Sequence, residues 1–135
     1  FGPTTAPEWF KAFQDQVFTA AGTHHIGFNS CNINLYQDGS EYLDFHSDNE
    51  QIFADSQKGV PILSLSLGAT RDFQFLNLAT GEILTFPLVS GDLQFMAGLL
   101  QTTHKHGVPK CKSKDARINF TWRRITQHTK FCRDS

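Results

Sequence analysis

The sequence predicts a mainly β fold of the double-sheet kind, a double-stranded β-helix or jelly roll, with one amino-terminal helix packed on it. Three observations carry this. A single segment near the start repeats its apolar residues at helical spacing. About eight short runs of strand character follow it. Turn residues (Gly, Asp, Ser, Thr) punctuate those runs at regular intervals. At 135 residues the chain has enough length for one modest core, so a single domain over 1–135 is expected.

The helix is expected from Pro7-Glu8 to about Ala21. Proline suits a first turn, and Glu8 suits the positive end of the helix dipole. Trp9, Phe10, Phe13, Val17 and Phe18 recur at three- and four-residue steps and form one apolar stripe, which Gly22 terminates. Strand character begins at about Phe28. Cys31 to Tyr36 alternates, and Gln37 to Ser40 is a turn. Tyr42 to His46 is a short strand, and Asn49 to Gly59 a polar loop. Val60 to Leu67 is a strand whose Leu63, Leu65 and Leu67 share a side. Asp72 to Leu78 and Glu82 to Leu88 flank Thr80-Gly81 and form a hairpin. Leu93 to Met96 follows the Ser90-Gly91-Asp92 turn. Lys110 to Asp115 is a basic loop, and Ala116 to Ile125 is the last strong strand.

Composition narrows the function classes. Thirteen Phe favour strands and supply large buried area. A net charge of −1 argues against a dedicated polyanion binder. The charge is unevenly spread, however: residues 1–100 hold 3 basic and 11 acidic side chains, residues 101–135 hold 9 and 2. That asymmetry suits either a phosphate-binding surface or mutual neutralisation within the fold. Cys31, Cys111 and Cys132 are odd in number and lack metal-type spacing, which favours free thiols in a reducing intracellular compartment, cytoplasm or nucleus. No run is long enough for a membrane-spanning helix, and the start lacks the pattern of a signal peptide. With Phe at position 1, a trimmed or excised domain is expected. A monomer is expected as well.

The chemistry is concentrated in two places. Residues two apart in a strand point to one side, so His46 and Asp48 can chelate one ion. A third ligand completes the two-histidine, one-carboxylate set of non-haem Fe(II) oxygenases, which leaves metal positions open for cosubstrate and O₂. His104 and His106 are themselves two apart, and either can supply it. The other can then support the ligand set from outside or contact substrate. His24, His25 and His128 are read as solvated. On the last strand Arg117, Asn119, Thr121 and Arg123 share one face. Two guanidinium groups on an inward face need anionic partners, because unpaired buried charge is very costly. A dicarboxylate cosubstrate meets that need, since Arg grips carboxylates in a bidentate manner.

These residues carry a family resemblance. In order they are Asn34-Leu35-Tyr36, Asp38-Gly39, His46-Ser47-Asp48-Asn49-Glu50, Pro61 to Phe73, Ser90-Gly91-Asp92-Leu93, His106-Gly107-Val108-Pro109, and the Arg117 to Arg123 pattern R-x-N-x-T-x-R. From about Phe28 to Ile125 the chain resembles the AlkB-like Fe(II)/2-oxoglutarate dioxygenases. The resemblance implies that His46, Asp48 and His106 hold Fe(II), because the family's distal histidine precedes the Gly-hydrophobic-Pro step. It implies that Arg117 pairs with the distal carboxylate of 2-oxoglutarate and Arg123 with the end that chelates iron. Asn34, Tyr36 and Asn119 add hydrogen bonds to that cosubstrate. Glu50 matches the acidic position that reads the exocyclic amine of the damaged base, and Arg71 a position near the substrate pocket.

The implied activity is oxidative demethylation of 1-methyladenine or 3-methylcytosine, with O₂ consumed and succinate, CO₂ and formaldehyde released. The base must be single-stranded or flipped out of the stack. Phe28, Phe45 and Trp9 are candidates to stack on it, and the sequence does not choose among them; a place in the core is the favoured reading for each. About 30 residues precede the first core strand, which leaves little chain for the family's nucleotide-recognition lid and implies an open pocket. No long hairpin for probing a duplex stands out. Single-stranded methylated RNA, or DNA, is therefore the expected partner, RNA favoured, with the basic 105–133 segment on phosphates. Compact forms of this kind resemble the AlkB domains within polyproteins of some plant RNA viruses. Two other readings remain: a 2-oxoglutarate-dependent hydroxylase of a protein or small molecule, and a non-catalytic jelly-roll module that keeps a metal for stability.

Overall fold

The computed structural model describes residues 6–47, 60–97 and 99–125. The chain runs through helix α1 (Glu8–Ala21), a 3₁₀ turn (His24–Ile26), β1 (Ser30–Tyr36), β2 (Leu43–His46), β3 (Ile62–Gly68), β4 (Arg71–Asn77), β5 (Ile83–Leu88), β6 (Leu93–Met96), a short helix α2 (Leu100–Thr103), β7 (His104–Val108) and β8 (Arg117–Arg123). The strands form two antiparallel four-stranded sheets, ordered β1-β8-β3-β6 and β2-β7-β4-β5. The expected jelly-roll architecture is therefore present, and β4 and β5 pair as the expected hairpin. The expected polar loop at 49–59 lies outside the described residues.

Helix α1 starts after Pro7 and ends at Gly22, whose φ of 65° gives the left-handed cap that glycine adopts without a Cβ clash. Its buried face is Phe10, Val17 and Phe18. These pack on Leu63 and Leu65 of β3 and on Phe120 and Trp122 of β8. Fully burying one such aromatic stabilises by roughly 1.5–3 kcal/mol. The Trp122 indole donates to Gln14 Oε1 at 2.8 Å, so its one polar atom is satisfied. Trp9 departs from the expected stripe: it is 66% exposed and meets Phe10 edge-on. At about 100° per residue, position 9 lies at the margin of a face centred on 10 and 17.

The same period-2 logic builds the other side of the main sheet. Leu63, Leu65, Phe120 and Trp122 face the helix, so Ser64, Ser66, Asn119 and Thr121 face the second sheet. Between the sheets, one end is filled by an apolar cluster of Tyr36, Val60, Ile62, Phe73, Leu88, Met96 and Val108. The space beside it is lined mostly by polar side chains. The strand alternation thus yields three layers, helix on sheet on sheet, with a polar cavity in the last gap.

Candidate active site

His46 ends β2, and His106 lies in the middle of β7. The two are direct cross-strand partners, and their ring centroids are 4.2 Å apart. Gly107 makes that approach possible. A Cβ at this position would sit 2.7 Å from the Leu43 carbonyl oxygen and 3.2 Å from the Phe45 nitrogen. A glycine here lets β2 run against β7, where the ladder is irregular between Leu43 and His46.

Each imidazole is held by its surroundings. His46 Nδ1 lies 3.0 Å from the Asp44 carbonyl oxygen. A carbonyl can only accept, so Nδ1 carries the proton and Nε2 presents its lone pair. His106 is 4% exposed and stacks on Phe73, with centroids 5.6 Å apart and planes at 17°. Ser47 Oγ donates to the His104 carbonyl oxygen at 3.0 Å, tying the residue after His46 to β7. Asp48 and Glu50 lie outside the described residues. Among the described residues no group of three His, Cys, Asp or Glu is close enough to hold a metal. His46 and His106 are the described part of the expected iron set.

His104 goes elsewhere. It is opposite Asn77 on β4, meets Thr103 Oγ1 at 2.7 Å, and lines a separate cleft of about 460 Å³ with Phe75 and Glu82.

His46 and His106 open on a cavity of about 200 Å³ between the sheets. Its opposite wall is the inward face of β8: Arg117, Asn119, Thr121 and Arg123, with Asn34 and Tyr36 of β1 beside them. In register, Tyr36 is opposite Arg117 and Asn34 is opposite Asn119. Arg117 and Arg123 are 2% and 9% exposed. Arg117 donates from Nη2 to Ser66 Oγ at 2.8 Å, while its Nε is buried without a hydrogen-bond partner. Burial pushes the Arg117 guanidinium below its usual range; Tyr36 acts in the opposite sense, and nearby Arg71 adds to the lowering. Burial likewise raises the Tyr36 phenol, against the pull of Arg117 and Arg71. No carboxylate among the described residues forms an ion pair with Arg117. A buried cation with an orphaned donor and a half-enclosed polar cavity fits an anionic ligand.

Asn119 lines this cavity, but its amide is already engaged. Its Nδ2 donates to Ser64 Oγ at 2.7 Å and to the Leu65 carbonyl at 3.2 Å, and its Oδ1 accepts from Thr121 Oγ1 at 2.7 Å. Arg71 is 2% exposed and does not line the cavity. Its guanidinium donates to the backbone carbonyls of Asp38, Glu41 and Pro109 at 3.3, 2.7 and 2.8 Å. Phe28 belongs to the core under α1, and Trp9 is on that helix, on the far side of the main sheet from the cavity. Ser64, Ser66 and Phe73 shape the site without having been singled out as site residues in the sequence. Their signal was present: the serines alternate with leucines in Ile62 to Leu67, a polar inward face that the apolar face obscured.

Residues 2–123 match the model of the 2OG-Fe(II) oxygenase superfamily. The chain is 35% identical over 109 residues to the alpha-ketoglutarate-dependent dioxygenase alkB homolog 3 of Rattus norvegicus, covering 73% of this chain and 36% of that protein. It is 32% identical over 134 residues to the DNA oxidative demethylase ALKBH2 of Homo sapiens, covering 92% and 50%. The chain thus spans half or less of the length of these relatives. Among solved structures, one described as the structure of OsALKBH1 superposes with a TM-score of 0.65 at 23% identity, covering 89% of this chain and 66% of that one. A Pseudomonas putida prolyl-4-hydroxylase gives 0.56 at 17% identity, covering 97% and 73%. At these identities the two structures speak for the fold. With the family model matched over most of its length, the chain belongs to the 2OG-Fe(II) oxygenase superfamily, as an AlkB-like member.

Proposed function

We propose that this protein removes methyl groups from 1-methyladenine and 3-methylcytosine in single-stranded nucleic acid, RNA favoured over DNA, using Fe(II), 2-oxoglutarate and O₂. The observation that carries the reading is the convergence of His46 and His106 on a small cavity whose far wall is the buried Arg117–Arg123 face. The curated relatives named above include a DNA oxidative demethylase, which supports a methylated base as the substrate class.

Each residue has a place in the reading. His46 through Nε2, His106 and Asp48 would hold Fe(II). Arg117 with Tyr36 would take the distal carboxylate of 2-oxoglutarate, and Arg123 the end nearer the metal. Asn119 would act by fixing Ser64 and Thr121, since its own amide is committed. When bound, the iron and 2-oxoglutarate would supply, with O₂ as the oxidant, hydroxylation of an N-methyl group while the cosubstrate goes to succinate and CO₂; the hydroxymethyl group would then leave as formaldehyde. The cavity of about 200 Å³ is below the roughly 300–1,000 Å³ of pockets for drug-sized ligands, a size that suits a small diacid. Exposed Lys110, Lys112 and Lys114 would meet phosphates. The free thiols of Cys31 and Cys111 are compatible with a reducing compartment.

The test is mass spectrometry on methylated RNA and DNA oligomers incubated with the protein, Fe(II), 2-oxoglutarate and air. Loss of one methyl with matching succinate is expected, faster on single-stranded RNA. Succinate without demethylation would move the substrate to a protein or small molecule. Glu50→Ala is expected to lower base turnover more than uncoupled 2-oxoglutarate decay; equal loss of both would remove its base-reading role.

A further inference from the structure

Arg71 sits at the start of β4, in the second sheet, yet its contacts are to parts of the chain that carry the site. Its three carbonyl partners are the β1–β2 turn (Asp38 and Glu41) and Pro109, just past β7. These segments lead from Tyr36 on β1, to His46 on β2, and away from His106 on β7. One buried side chain therefore ties together the ends of three strands that supply site residues.

Arg71 also packs on the site itself. Its guanidinium carbon lies 5.3 Å from the centroid of the Tyr36 ring. The guanidinium carbon of Arg117 lies 5.2 Å from the same centroid. Two buried cations thus share one aromatic ring, and among the described residues neither forms an ion pair with a carboxylate. Carbonyl oxygens and a π face stabilise a guanidinium, but they leave its net charge in place. The Arg71 Nε remains buried without a hydrogen-bond partner.

We propose that Arg71 is a positioning residue for the diacid site. It holds the Tyr36 ring against Arg117 and adds positive potential behind it, so that a distal carboxylate meets Tyr36 and Arg117 in one preset geometry. Its effect is selective: it favours a 2-oxo acid with a second carboxylate over one without. The inference rests on the proposed pairing of Arg117 with that carboxylate.

The experiment is anaerobic titration of the Fe(II)-loaded protein with 2-oxoglutarate and with 2-oxobutyrate, which lacks the distal carboxylate, following the visible band of the chelate. Wild type should prefer the diacid. Arg71→Met should cut that preference roughly tenfold, the scale of a desolvated cation–π contact. Iron retention and the dissociation constant of 2-oxobutyrate should stay as in wild type. Arg71→Gln keeps donors for the carbonyls while losing the charge, and should cut the preference similarly even where the Met variant folds poorly. Arg71→Lys should recover part of it. Equal weakening of both acids would make Arg71 a general structural clamp and overturn the proposal, as would an unchanged preference. A wild-type protein with no preference would overturn the Arg117 pairing itself, and this inference with it.

Discussion

His106 faces His46 directly across the β2–β7 ladder, ring centroid to ring centroid at 4.2 Å, while His104, two residues earlier, is opposite Asn77 on the other neighbouring strand. His46→Ala and His106→Ala are therefore each expected to abolish retention of Fe(II) through dialysis and to lower turnover at least ~100-fold, beyond the cost of losing an outer-shell partner. His104→Ala should retain the metal. Elemental analysis of the three variants checks this, and loss of iron in His104→Ala would reverse the assignment.

Gly107→Ala places a methyl 2.7 Å from the Leu43 carbonyl oxygen. Backbone must shift, and β2 moves away from β7. A stability loss of about 1–3 kcal/mol is expected, as for overpacked sites. Iron affinity should fall further than denaturant unfolding alone accounts for. Wild-type iron affinity in this variant would show that the close strand approach does not set the histidine pair.

Arg117→Met should weaken 2-oxoglutarate binding roughly 10- to 100-fold, the worth of a charge-assisted hydrogen bond. Arg117→Lys should recover little, since an ammonium cannot reproduce the planar fork. Calorimetry under anaerobic conditions measures both. Tight binding by the Met variant would place the diacid elsewhere.

Phe10→Ala empties the centre of the interface between α1 and the main sheet, where Phe10 is 2% exposed. The expected cost is about 3–5 kcal/mol. The cavity lies on the other face of that sheet, so the preference for 2-oxoglutarate over 2-oxobutyrate should persist in whatever fraction remains folded. Equilibrium unfolding with a parallel binding assay checks both halves.

Burial pushes the Cys31 thiol up to about 11, while Cys111 is exposed. Alkylation at pH 8 should therefore label Cys111 and spare Cys31, as peptide mass mapping would read. The folded form holds the Cys31 proton more tightly than the unfolded chain. Its contribution to stability is thus fully present below about 8.5, the usual thiol value, and is lost as pH rises through about 11. Equal labelling of both at pH 8 would contradict the burial.

Local physics made much of this protein readable in its sequence. Helical spacing with Pro7 before and Gly22 after gave α1, and alternation with turn residues gave seven of the eight described strands to within a residue or two; β7 (His104–Val108), short and interrupted by Gly107, had no such run to mark it. Parity alone put Arg117, Asn119, Thr121 and Arg123 on one face of β8, and that face lines the cavity. These patterns are set within a few neighbouring residues, where side-chain periodicity and backbone sterics act. Pairing across the sheets decided the rest. Parity allowed either His104 or His106 to stand by His46; the β2–β7 register brought His106 there, through a glycine that permits the approach. Nothing near Arg71 in sequence indicates that its partners are the carbonyls of Asp38, Glu41 and Pro109, or that it shares the Tyr36 ring with Arg117. Such contacts form between segments distant in the chain, and their geometry exists only once both sheets have closed on each other.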